Sequence, residues 1–170
     1  MKFVPASGAA SRMFRLLLGA YNDSYSDEKL RNIPDNDNID EALLSFINGL
    51  DKYAFYNNLK QKMKDDNEGL EDLIKNGQIK TILDYLLFER GLNLSNIPKG
   101  LIPFHRYNDH SRTPFEEHLV EAFNYTKDKE GKIKIHFTVS PEHEKSVKDF
   151  FSHILDMYEK HGAACEIGYS

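Results

Sequence analysis

Residues 2–14 read KFVPASGAASRMF. A short apolar run, Phe3-Val4, ends at Pro5. Six small residues follow, Ala6 to Ser11, and then a guanidinium, Arg12. Beyond it, Met13, Leu16, Leu17 and Ala20 recur at helical spacing, and Ser11 is a residue type that caps helices. The stretch therefore reads as strand, small-residue loop and helix N-terminus. Two physical readings of the loop stand side by side. Small side chains let backbone N–H groups wrap a phosphate at a helix N-terminus, and Arg12 adds a donor suited to phosphate oxygens. The same residues also suit a tight turn that serves packing alone. The pattern is neither a P-loop, which needs Gly-Lys-Ser/Thr, nor the dinucleotide fingerprint, since Gly8 is the only glycine in the loop.

Working outward, residues 22–38 are polar and read as a loop. Residues 40–90 are helical in pattern almost throughout. Asp40 is placed to cap Leu43, Leu44, Phe46, Ile47 and Leu50. Tyr53 to Lys64 follows, then a segment from Glu68 or Gly69 to near Gly77. Gln78 to Arg90 comes next and stops at Gly91. This block, residues 22–95, reads as an all-helical insertion between strand-like segments, with membership of the core layer as the alternative.

Leu101-Ile102-Pro103-Phe104 reads as a short strand with Pro at its edge. In RTPFEEHLVEAF, Thr113 is the N-cap, Pro114 occupies the first helical position and Glu116 completes a capping box. Gly131 marks the turn out of that helix. KIKIHFTV, residues 132–139, alternates and then turns apolar, as a strand does. Ser140-Pro141-Glu142 opens another helix, with Phe150, Phe151, Ile154, Leu155 and Tyr158 as its buried stripe and Gly162 at its end. AACEIGY is the last strand. Strands alternating with helices of this length make an α/β fold with a mostly parallel sheet, in which ligands bind at the carboxyl ends of strands.

The chain has 170 residues, enough for one domain, and carries a net charge of −5 that offers no basic surface to nucleic acid. Cys165 is the single cysteine, which fits a reducing compartment. The N-terminus does not read as a signal peptide, and no apolar window is long enough to span a membrane, so a cytoplasmic location is expected. The seven histidines show no metal-binding spacing. His118 falls mid-helix and His136 within a strand. His143, at a strand's carboxyl end, is a secondary site candidate, with a surface position on the helix as its plain alternative. The Phe and Tyr side chains read as core, and Cys165 has no cation-rich neighbourhood in sequence.

PASGAASRM resembles the signature loop of nucleotidyltransferases in the nucleotide-diphospho-sugar (GT-A) superfamily. Ala6, Gly8, Ser11, Arg12 and Met13 match it. Ser7 stands where a second Ala is usual, and Ala10 replaces the second Gly. Pro98-Lys99-Gly100-Leu101-Ile102-Pro103 is similar to that superfamily's P-K-x-L-x-P segment, and RTPFEEHLVEA and KIHFTVSPEH resemble the helix and strand that follow. Over nearly its whole length the chain resembles a bacterial domain of unknown function family, number 4301. That family shows F-x-P-A-S-G-A-A-S-R-M, P-K-G-L-I-P-F-H and H-F-T-V-S-P-E-H.

The resemblance implies a three-layer, Rossmann-like, GT-A-like α/β domain over residues 1–170. It implies binding of a nucleoside triphosphate or nucleotide-sugar, with a non-catalytic binding or scaffold module as the alternative. Ala6, Ser7, Gly8, Ala9, Ala10 and Ser11 would hold the triphosphate. Arg12 would neutralise the leaving pyrophosphate, and Lys99 would sit at the transferred phosphate. The superfamily also uses Mg²⁺ held by carboxylates, and no ligand for it is identifiable in this sequence. Asp109, Asp149 and Asp156 do not fall at a strand end in the right order. The sequence stops at CEIGYS, in or just after a strand, so a longer protein is expected.

Overall fold

The computed structural model describes residues 1–170 except Ser7, Ala9, 23–37, 127–128, 130–131 and 160–164; for 38–40, 156, 157 and 159 only the backbone is described. The chain divides into two compact units, residues 1–9 with 97–170, and residues 10–96.

The first unit is built on a parallel sheet. Strand β1 is Lys2–Pro5. After the second unit, a 3₁₀ turn spans Lys99–Leu101, followed by the short strands β2 (His105–Arg106) and β3 (Ser111–Arg112). Helix α6 is Pro114–Tyr125, β4 is Ile133–Thr138, α7 is Glu144–Glu159 and β5 is Cys165–Tyr169. The sheet order is β1-β4-β5, all parallel, with Val4 opposite Phe137 and Ile135 opposite Ile167.

Alternation in β4 decides the layering. Ile133, Ile135 and Phe137 point to one face and are fully buried. Both helices pack on that same face. Phe115 of α6 meets the Phe137 ring edge-on at 5.2 Å, and Phe151 of α7 stacks on Phe137 at 4.8 Å. Such aromatic contacts add to the stabilisation from area burial alone. The opposite face carries Phe3, 67% exposed, with Lys134, Thr138 and Glu166 also exposed. Among the described residues this unit therefore has two layers, where three were expected. The physical reason is the strand order. It runs in one direction without reversal, so right-handed crossovers return both helices to one side.

The strand expected over Leu101–Phe104 does not form. Ile102 is fully buried just after the 3₁₀ turn, whereas Phe104 is exposed. Strand pairing falls one step later, in a two-pair antiparallel hairpin, His105 with Arg112 and Arg106 with Ser111. The cap at Thr113 does form, its hydroxyl accepting from the Glu116 N–H at 3.2 Å. The helix expected from Ser140 starts as a 3₁₀ turn, Pro141–His143, before α7 takes over. Gly131 and Gly162, expected to end the two helices, lie outside the described residues.

The second unit is helical in its described residues. After a 3₁₀ turn at Ala10–Arg12 come α1 (Arg15–Asn22), α2 (Asn38–Asn48), a 3₁₀ turn at Leu50–Lys52, α3 (Tyr56–Asp65), α4 (Leu70–Lys75) and α5 (Ile79–Leu87). Ser11 thus lies inside a 3₁₀ turn and does not cap α1, which begins at Arg15; nor does Asp40 cap α2, since that helix is already under way at Asn38. The first helix packs in this unit, with Tyr21 against Phe88 at 4.7 Å and its hydroxyl donating to Asp84 at 3.3 Å. Gly77, at φ 68°, ends α4 in the left-handed region open to glycine. The core includes Leu43, Leu59, Met63, Ile82 and Leu83. No helix among the described residues is long and apolar enough to cross a membrane.

Candidate functional site

The carboxyl end of β1 runs on into the small-residue loop. Ala6 N–H donates to the Thr138 carbonyl at 2.9 Å, continuing the sheet ladder one residue past the strand. Two residues later the Gly8 carbonyl accepts from the Lys99 N–H at 3.0 Å. That bond fastens the loop to the turn Lys99–Leu101. Gly100 in turn lies so close to α6 that a Cβ on it would come within 2.5 Å of the Phe115 ring. Loop, turn and helix start are thereby fixed to one another.

Together they enclose a pocket of about 190 Å³ lined by backbone and side-chain atoms of Val4, Ala6, Gly8, Lys99, Phe115 and His118, with Pro5, Gly100 and Pro114. Most of the wall is apolar. The ionisable residues that line it are Lys99, exposed, and His118, half-buried. The positive end of the twelve-residue α6 adds a partial charge of the same sign. The two carboxylates of that first turn are turned elsewhere: Glu116 accepts from Tyr158 Oη at 3.1 Å, and Glu117 from Tyr107 Oη at 2.6 Å. What remains suits an anion.

A Cβ built on Gly8 meets nothing within 4 Å, and its φ lies outside the left-handed region. Neither packing nor backbone conformation asks for glycine at this position.

Of the site residues expected from the sequence, Ala6, Gly8 and Lys99 come together in this pocket. Ser7 and Ala9 lie outside the described residues. Ala10, Ser11 and Arg12 belong to the second unit, where Ala10 is fully buried and Ser11 and Arg12 are exposed on the 3₁₀ turn. His143 is not on the surface: it is 9% exposed, on the turn after β4, with no hydrogen-bond partner at Nε2. It does not contribute to the wall of the pocket.

His118 is the residue that sequence reasoning passed over. The usable signal was its spacing, since residues 114, 115 and 118 share one face of a helix that starts at Pro114. Its Nδ1 lies 3.4 Å from Glu121 Oε2, an oxygen that also binds the Lys2 ammonium. Lys2 first, and His118 second, hold the Glu121 carboxyl below its usual range.

The wall of the pocket has no carboxylate, and no group of three or more His, Cys, Asp or Glu converges among the described residues. Mg²⁺ requires oxygen ligands, so these side chains do not fit it.

No curated protein and no solved structure matches the chain. A family model matches residues 1–170 in full, and the chain belongs to the family it describes, Domain of unknown function (DUF4301).

Proposed function

We propose that the chain binds a phosphate group of a nucleoside triphosphate or nucleotide-sugar at the carboxyl end of β1, as a nucleotidyltransferase-like domain of GT-A kind. The observation that carries this reading is the hydrogen bond from Lys99 to Gly8, which keeps a lysine beside a small-residue loop and a helix start. The resemblance of PASGAASRM and PKGLIP to nucleotidyltransferase segments supports it from the sequence. The pocket volume of about 190 Å³ has room for a phosphoryl group. It falls below the roughly 300–1,000 Å³ of whole-ligand sites, so the rest of a nucleotide lies outside it. Lys99 serves as a point charge on the phosphate, and Gly8 allows the oxygens to approach the backbone.

The donor set favours binding without turnover in this chain. A lysine and an imidazole suit a phosphate, but no carboxylate on the wall is there to hold a metal. A non-catalytic binding module is therefore the second reading.

The test is a thermal-shift panel of nucleoside triphosphates and nucleotide-sugars, with and without Mg²⁺, on the wild-type chain, Lys99→Ala and Arg12→Ala. Saturation at a hundred times Kd should stabilise the wild type by about 2.7 kcal/mol. Lys99→Ala should lose that gain, and Arg12→Ala tests separately the role that the resemblance assigns to Arg12. An equal shift in Lys99→Ala, or none in the wild type at millimolar ligand, would sink the reading. Radiolabel exchange between pyrophosphate and triphosphate separates transferase from module.

A further inference from the structure

His118 contributes to the pocket wall and has one ring nitrogen engaged. Nδ1 faces Glu121 at 3.4 Å, while Nε2 makes no hydrogen bond among the described residues. The charged groups around the ring come from three elements. Lys2 on β1 binds Glu121 and also reaches the His118 carbonyl at 3.4 Å; Lys99 shares the pocket; Glu121 follows on α6 itself. Elsewhere on α6, Glu117 is engaged with Arg112 at 3.8 Å and Glu116 with Tyr158 of α7. Apart from Lys2, the sheet residues packed against the helix are apolar, Ile133, Ile135 and Phe137 on β4 among them. The single carboxylate available to a His118 imidazolium is thus already shared with an ammonium. Lys99, on the same wall, has no carboxylate partner among the described residues. A dianion in the pocket would supply the counter-charge that the protein lacks.

We infer, on the basis of the phosphate-pocket reading above, that His118 is a second ligand of the bound anion, its imidazolium donating from Nε2 to a phosphoryl oxygen opposite Lys99. Glu121 orients the ring through Nδ1, and Lys2 holds Glu121. Binding is then tighter when His118 is protonated, and by linkage the anion favours the imidazolium to the same degree.

The probe is inorganic sulfate, a tetrahedral dianion whose charge does not change between about pH 5 and 8. The His118 ring resonance is followed by NMR through a pH titration of the wild-type chain, in sodium sulfate and in sodium chloride of equal ionic strength. Its assignment comes from the signal lost in His118→Gln. Sulfate should raise the titration midpoint by about one pH unit, equivalent to roughly tenfold tighter binding to the protonated form. The Gly8 and Lys99 amide signals should saturate with sulfate together with it. If those amides respond and the His118 midpoint does not move, His118 is no ligand while the phosphate pocket stands. If neither responds, both readings fall.

Discussion

The backbone N–H of Lys99 donates to the carbonyl of Gly8 over 3.0 Å, joining two segments that the whole second unit separates in sequence. The proposed function thus gives one residue two separable roles, a backbone bond that shapes the pocket and an ammonium that would meet the anion. Two substitutions divide them. Lys99→Ala keeps the N–H. Lys99→Pro removes it at a position that tolerates proline, because Lys99 opens a 3₁₀ turn and Pro98 before it is extended at φ −56°, ψ 139°. Urea unfolding should show Lys99→Pro less stable than Lys99→Ala by about 1 kcal/mol, the usual worth of one hydrogen bond. Equal midpoints would mean that the bond contributes nothing to holding the loop.

Two glycines of the pocket should respond in opposite ways to the same methyl group. At Gly100 it would come within 2.5 Å of Phe115, which is 1% exposed and wedged against Phe137 and Phe151. Those two rings resist its displacement, so Gly100→Ala should cost about 1–3 kcal/mol. At Gly8 the methyl meets open space, and Gly8→Ala should leave stability unchanged or raise it by up to about 1 kcal/mol. Denaturation curves of the two variants check the first half. For the second, Gly8→Ala should weaken sulfate or nucleotide binding. A Gly8→Ala chain that binds as well as the wild type would leave the glycine without a function.

The parts of this fold that were legible in the sequence are those whose signal is local. KIKIHF alternates because one face of β4 is buried and the other wet, and Thr113-Pro114 starts a helix by chemistry confined to a few residues. What misled was apolar content without partners. Leu101-Ile102-Pro103-Phe104 has the composition of a strand, but Ile102 is buried without strand pairing, and the hairpin that forms nearby pairs polar residues. The layer count was not legible because it depends on strand order, which no stretch of sequence encodes. At the site, Gly8 and Lys99 stood out by resemblance. His118 did not, because its helical spacing with Pro114 and Phe115 carries meaning only once the fold places a pocket beside that face.

Thr113 links local chemistry to the site, since it fixes where α6 begins and hence where Phe115 and His118 point. It is 7% exposed and caps the helix through its hydroxyl. Thr113→Ala should destabilise the chain by about 1 kcal/mol, and Thr113→Ser should recover most of that, because serine caps at least as well. Chemical denaturation of the pair is the measurement. If serine and alanine behave alike, the hydroxyl is not what starts the helix.

Tyr158 makes an alkaline prediction. Burial, and then the neighbouring Glu116 carboxylate, push its phenol up to about 12. In the unfolded chain the phenol titrates near its ordinary value of about 10. The folded state thus favours the neutral phenol, and this contribution is complete below about pH 10 and lost as pH rises through about 12. Tyr158→Phe removes the titrating group together with the hydrogen bond to Glu116. At neutral pH the variant should be less stable than the wild type by about 1 kcal/mol. That gap should close as the pH is raised from about 10 toward 12, because only the wild type pays for ionisation there. Tyr169, also pushed up to about 12, is present in both proteins and cancels from the difference. Urea midpoints measured across the alkaline range decide it: a gap that stays constant with pH would mean that the Tyr158 phenol ionises as freely in the fold as outside it.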